Sequence, residues 1–198
     1  MKIIGLTGGI GSGKSTIAKW FSESGIPVYN SDLEAKKLMN ENEKIIFELT
    51  ELFGEKTYEN GVYNFKFVAS KVFKDKELLR KLNQIVHPEV FNHFHHWVKN
   101  QTAVFLVKEA AILFESGSYK DCDAVISVVA EEKIRIERVM KRDEISEEQI
   151  RQRMNNQWTD EQRIKLSDFV IENNSDLETL KAAFHKLYKN LLKQFQSS

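Results

Sequence analysis

The chain has 198 residues, 41% hydrophobic and 29% charged, and its 29 basic and 29 acidic side chains cancel to zero formal net charge. That composition suits one globular domain with a real core, or a core domain carrying an inserted subdomain, and the neutral balance leaves no general attraction to nucleic acid or to a membrane surface. A single cysteine, Cys122, excludes an intrachain disulfide framework, and no run of 18 apolar residues exists to span a membrane.

Met1-Lys2 precedes an apolar run that breaks at Gly8, too short for a signal-peptide core, so a cytoplasmic location is expected. Residues 2–7 read as a buried strand. The next stretch, Gly8-Gly9-Ile10-Gly11-Ser12-Gly13-Lys14-Ser15, fits G-x-x-x-x-G-K-[ST], the phosphate-binding loop, and residues 14–24 continue as a helix closed by Gly25. The chemistry asks for these residue types. Backbone N–H groups wrap a polyanion closely only where side chains are minimal and φ is free to turn positive. The helix N-terminus adds unpaired N–H groups and the positive end of its dipole. Gly8, Gly9, Gly11, Ser12, Gly13, Lys14, Ser15 and Thr16 are therefore the expected nucleotide contacts. Lys14 is expected at the β- and γ-phosphates of ATP, and the Ser15 hydroxyl on Mg²⁺.

Further along, Ile26 to Tyr29 reads as a short second strand and Asn30-Ser31-Asp32 as a turn or cap cluster. Residues 32–40 and 43–53 read as helices, the second ending at Gly54. Glu59-Asn60-Gly61 reads as a hairpin turn. A long helical region follows over 65–100, with breaks expected near Asp75 and at Pro88. Thr102 to Val107 and Asp123 to Val129 are continuous apolar runs, the pattern of central parallel strands. Charged helices are expected over 131–142 and within 146–167, a last strand at Phe169 to Ile171, and a terminal helix over 176–195 with apolar residues at helical spacing. Strands alternating with helices predict a doubly wound α/β domain. The stretch between strands at 33–100 is almost all helix, is too long for one crossover, and predicts that part of it is a helical insertion.

Three further features can carry chemistry. Asp32 follows the second strand, on the sheet edge where ligands bind, and a carboxylate there can orient an acceptor hydroxyl and take its proton. Its alternative is a helix cap, a job that Ser31 can do instead. Apart from Arg80, every arginine falls between Arg135 and Arg163. Arg135, Arg138 and Arg142 share a helix face by spacing, as a lid over a nucleotide would require, against the plainer reading of a solvated helix paired with glutamates. His87-Pro88 marks an expected helix junction that can face a substrate cleft. His93, His95 and His96 point in several directions on a helix and read as surface or half-buried groups rather than metal ligands. The Tyr and Phe residues of 58–73 read as the core of a small helical subdomain.

A phosphate loop, a carboxylate after the second strand and an arginine cluster together favour a small-molecule kinase. A regulatory GTPase would show N-K-x-D and D-x-x-G, which are absent. A motor ATPase would show an apolar strand ending in paired acids, which Lys108-Glu109 matches only in part. The acceptor is not given by spacing. Gly5 to Ser15, Ser31-Asp32 with Ala35, and Ile85-Val86-His87-Pro88 resemble the dephospho-coenzyme A kinases. So do Ile112-Leu113-Phe114-Glu115, Arg138 to Arg142-Asp143, Arg153 with Gln157, and Asp168 to Ile171 before Asn173. The matches run through nearly the whole chain in order. The chain departs from that family at Asn30, where Asp is usual, and at Ala111, where Pro is common.

The resemblance implies a single P-loop kinase domain of three layers around a parallel sheet, with an acceptor-binding helical insertion at about 33–100 and a helical lid at about 135–165. It implies transfer of phosphate from ATP to the ribose 3′-hydroxyl of dephospho-coenzyme A by a monomer, with Mg²⁺. Asp32 would act as the base, His87 would lie near the acceptor, and Arg142 with Arg138 would steady the transferring group. Another small-molecule or nucleoside monophosphate kinase of the same fold is the alternative, and a non-catalytic nucleotide switch is a more distant one.

Overall fold

The computed structural model describes residues 1–72 and 75–196. In chain order its elements begin with β1 (Lys2–Thr7), α1 (Lys14–Glu23), β2 (Val28–Asn30), α2 (Ser31–Glu41) and α3 (Glu43–Phe53). The short strands β3 (Tyr58–Glu59) and β4 (Val62–Tyr63) lead to α4 (Phe65–Val72) and α5 (Lys76–Lys99). Then follow β5 (Phe105–Glu109), β6 (Ala124–Val129), α6 (Glu132–Asp143), α7 (Glu147–Met154), α8 (Asp160–Leu166), β7 (Phe169–Glu172) and α9 (Leu177–Gln196). The contacts divide the chain into two units, Met1–Asn30 with Thr102–Ser198, and Ser31–Gln101.

The first unit is built on five parallel strands in the order β2-β5-β1-β6-β7. Alternation along each strand sorts the side chains onto two faces. Ile4 and Leu6, Phe105 and Val107, and Ala124, Ile126 and Val128 bury one face against Ile17 and Phe21 of α1 and Leu180, Phe184, Leu187 and Leu191 of α9. Phe21 sits at the centre, edge-on to Phe184 at 4.9 Å and to Phe105 at 6.2 Å. Truncating such a ring costs about 3–5 kcal/mol. On the opposite face Val125 packs with Ala110, Leu113 and Phe114, and Trp158 closes that cluster. The result is the three-layer α/β fold with a parallel sheet that the sequence predicts.

The second unit is helical. Met39, Ile45, Leu49, Tyr63, Val68 and Val86 form its core. Asn42 caps α3 by accepting from the Ile45 N–H, and Asp75 caps α5 by accepting from Glu77 and Leu78. Between β3 and β4, Asn60 and Gly61 both take positive φ, 51° and 78°, as a two-residue hairpin turn demands. Tyr58, Tyr63 and Phe67 belong to the core or pack on it, and Phe65 sits edge-on to Tyr63; Phe73 lies outside the described residues. The Tyr58 hydroxyl donates to the Met39 carbonyl, and burial pushes its pKa up to about 12.

Four local expectations are corrected. The second strand is Val28–Asn30, because pairing with Val107 to Glu109 sets its register. Helix α2 then starts at Ser31 with no turn between, and Ser31 is no cap: its hydroxyl is buried without a hydrogen-bond partner. Strand β5 starts at Phe105 and runs through Lys108 and Glu109, leaving Val104 outside and 41% exposed. Helix α5 passes through Pro88 without a break; Val86 and Phe94, buried on either side, hold it in register across the missing hydrogen bond. His87 is therefore a mid-helix residue and not a junction.

Candidate active site

Residues 8–13 connect β1 to α1, where the apolar alternation of the strand ends and helix-forming residues begin. Gly13 caps α1 with φ 95°, a left-handed conformation that a side chain would strain. A Cβ there would also strike Asn173 Nδ2, which donates 2.8 Å to the Ser12 carbonyl. Among the described residues no side chain caps the N-terminus of α1, and its first turn holds no acid. Helices α3, α5, α7 and α8 all carry side-chain caps. The Thr16 N–H donates to the Gly13 carbonyl at 3.0 Å, and the amides of Lys14 and Ser15 before it have no partner within the helix, at the positive end of its dipole. The Ser12 hydroxyl is buried without a partner, and a Cβ on Gly11 would lie 2.5 Å from the Arg135 carbonyl oxygen, so the loop is closely backed. This is a cradle fit for phosphate oxygens.

Lys14 opens α1, and its ammonium lies 2.6 Å from Glu109 Oε1. Glu109 falls on the same strand face as Phe105 and Val107, the face that α1 covers, and only 4% of its side chain is exposed. Its second oxygen accepts from Asn30 Nδ2 at 2.8 Å. A buried carboxylate thus holds the Lys14 ammonium in place. The sequence named Glu109 only as part of an incomplete acidic strand end; the usable signal is an acid closing a buried apolar strand beside the loop strand.

The arginines take three different positions. Arg138 is half-buried and donates to the Asn173 carbonyl at 3.0 Å and to Asn173 Oδ1 at 3.3 Å, so it supports the residue that holds Ser12. Arg142 is exposed and paired in fork geometry with Asp143, at 2.6 and 2.9 Å. Its guanidinium holds the Asp143 carboxyl below the usual range. Arg135 and Arg163 turn inward, 9% and 0% exposed, and both bond Asp160 Oδ1. The Arg135 guanidinium packs so closely on Gly9 that no Cβ would fit there. Helix spacing gave Arg135 the same face as Arg138 and Arg142, and only the fold distinguishes the three.

Ser15 is exposed in the first turn of α1, one residue beyond Lys14. Among the described residues no group of three or more His, Cys, Asp or Glu side chains forms a metal cage. Mg²⁺ in phosphoryl transfer needs none, since substrate phosphates and water supply most of its ligands and one or two protein oxygens the rest; the Ser15 hydroxyl suits that donor set. Asp32 lies half-buried in the first turn of α2, two residues after β2. His87 is half-buried in α5, and burial pushes its pKa down. Asp32 and His87 belong to the helical unit, and the loop, Lys14, Ser15, Arg138 and Arg142 to the sheet unit.

A parallel sheet with a Gly-rich loop running into an uncapped helix, and a lysine at its first position, define a P-loop kinase fold. The family model for dephospho-CoA kinase matches residues 2–179. A dephospho-CoA kinase of Fusobacterium nucleatum is 40% identical over 179 residues, 90% of this chain and 92% of that one. Among solved structures, the Thermus thermophilus protein TT1252 superposes with a TM-score of 0.86 at 33% identity, covering 96% and 97% of the two chains. A dephospho-CoA kinase from Campylobacter jejuni superposes at 0.70 with 25% identity, covering 97% and 98%. The chain belongs to the dephospho-CoA kinase family.

Proposed function

We propose that the protein transfers the γ-phosphoryl group of ATP to the ribose 3′-hydroxyl of dephospho-coenzyme A, giving coenzyme A and ADP. The observation that carries the chemistry is the Lys14 ammonium, held by the buried Glu109 at the mouth of an uncapped helix N-terminus. Family membership supports the choice of acceptor. In this reading the loop amides and the Lys14 ammonium bind and neutralise the β- and γ-phosphates. Ser15 would give one oxygen to Mg²⁺, which when bound would offset the charge of the phosphates. Asp32 orients the acceptor hydroxyl and takes its proton, and His87 lies on the acceptor side. Arg142, released from Asp143, turns with Arg138 toward the transferring group. The stretch 33–100 serves the acceptor and 135–165 serves as the lid.

A cytoplasmic, monomeric enzyme without a nucleic-acid or membrane partner goes with this reading. Zero formal net charge leaves no general attraction to nucleic acid or to an anionic membrane surface, and among the described residues no helix is long and apolar enough to cross a membrane. A coupled ADP-release assay tests the proposal, with dephospho-coenzyme A offered beside AMP, CMP, shikimate and gluconate. ADP release with dephospho-coenzyme A alone is the expected result. Turnover with a different acceptor only would overturn the substrate and keep the kinase.

A further inference from the structure

A circuit of polar contacts runs behind the phosphate loop from the Ile10 N–H to the Arg135 guanidinium, which packs on the neighbouring Gly9. The Ile10 N–H donates to Gln157 Oε1 at 3.0 Å. The next residue, Trp158, donates its backbone N–H to Glu115 Oε1 at 2.8 Å and stacks on Phe114, ring centroids 5.7 Å apart. Glu115 Oε1 also accepts from Arg163 Nη2 at 3.4 Å. Arg163 reaches Asp160 Oδ1 at 3.0 Å, and Arg135 reaches the same oxygen at 3.1 Å. The Arg135 guanidinium then closes the circuit against Gly9.

The charges decide what such a circuit can do. Two guanidiniums face two carboxylates, Asp160 and Glu115, so the circuit is neutral as a whole and its field on a bound anion is weak. Stability does not account for it either, because desolvation of buried ions offsets most of their attraction. The Nε atoms of Arg135 and Arg163 and Glu115 Oε2 are buried with no hydrogen-bond partner, a further cost. What remains is geometry. Gln157, in the α7–α8 connection, and Arg135, on α6, fix two consecutive residues of the loop from different directions.

We propose that Gln157 and Arg135 are positioning residues of the phosphate loop, holding the Gly9–Ile10 peptide in its receiving shape before the nucleotide arrives. They act through the loop, and the inference rests on the kinase reading for the identity of the ligand. A preformed cradle spares the triphosphate the cost of ordering it, so the effect falls on nucleotide binding.

Gln157→Leu keeps the volume and removes the acceptor. In the nucleotide-free variant, amide hydrogens of residues 8–13 are expected to exchange faster than in the wild type. The Kd for ATP by calorimetry should rise roughly tenfold, the factor for a hydrogen bond worth about 1.4 kcal/mol. The KM for the acceptor should stay within about twofold, because the loop does not bind it. Gln157→Glu retains an acceptor oxygen and restores protection of the loop, and Arg135→Met repeats the Gln157→Leu pattern. If Arg135→Met fails to fold, Gln157→Leu decides alone, with its melting temperature as the control for general destabilisation. Unchanged loop exchange and unchanged ATP affinity in Gln157→Leu would overturn the proposal. A wild type that binds ATP but phosphorylates none of the offered acceptors defeats the substrate reading and leaves this test standing, since exchange and ATP binding need no acceptor.

Discussion

Removing the Lys14 ammonium takes away the counter-ion of a buried carboxylate and, on the proposed reading, a phosphate ligand at the same time. Lys14→Ala should abolish measurable ATP binding and also leave Glu109, 4% exposed, with Asn30 as its side-chain partner among the described residues. Breaking a buried pair in this way costs about 3–5 kcal/mol. The double variant Lys14→Met with Glu109→Gln should regain most of that stability and none of the ATP binding. Urea midpoints beside ATP titrations separate the two losses, and a single variant as stable as the wild type would show that the pair carries no such role. Asp32→Asn should bind ATP normally and lose most turnover, and a kcat near wild type would remove Asp32 as the base. Arg142→Ala should lower kcat and kcat/KM together by about 10³-fold if the guanidinium leaves Asp143 for the transition state. A variant at wild-type rate would assign Arg142 to its surface pair with Asp143 alone.

At the scale of elements, Pro88 offers a test of what holds α5 together. A proline inside a helix costs about 3 kcal/mol relative to alanine, and its stiffness in the unfolded chain returns up to about 1 kcal/mol. Pro88→Ala should therefore stabilise the protein by about 2 kcal/mol, raising Tm by about 4–8 °C. An unchanged Tm would mean that packing around Val86 and Phe94 has already absorbed the defect. Sequence reasoning expects a break at Pro88 because it weighs local bonds only, and the contacts that carry α5 past the proline are long-range. The same limit applies to β5. Its apolar run starts at Thr102, yet ladder pairing with β1 and β2 decides that the strand begins at Phe105 and takes in Lys108 and Glu109. Where the determinants are local, the sequence suffices: Asn60-Gly61 makes its hairpin, Gly54 ends α3, and the loop lies between β1 and α1. Around the loop, spacing marks Lys14. It does not mark Glu109, 95 residues away, nor Gln157, 147 residues from Ile10, because such partners meet only through the fold.

For the whole molecule, the division of the chain into two units predicts two levels of stability and a way to move one without the other. Among the described residues the main core cluster of the sheet unit buries sixteen side chains, mostly along four strands, α1 and α9, whereas the cluster in Ser31–Gln101 buries six. Less buried apolar surface means a lower free energy of opening. Amides of α2 to α5 should therefore exchange through a partial opening, while those of β1, β5 and β6 wait for global unfolding. His87 supplies the lever. Burial lowers its pKa, so the folded unit takes up a proton on the imidazole less readily than the opened chain, which does so below about pH 6.5. A depressed folded pKa adds stability above the unfolded value and loses it as the pH falls through the folded one. Lowering the pH from about 7.5 to about 5.5 should thus reduce the opening free energy of α2 to α5. Protection of the central strands, referred to the intrinsic rate at each pH, should change less. His87→Gln should flatten that dependence within the helical unit. Equal loss of protection in both units would mean that the chain opens as one body, and a pH response undiminished in His87→Gln would move the titrating group elsewhere.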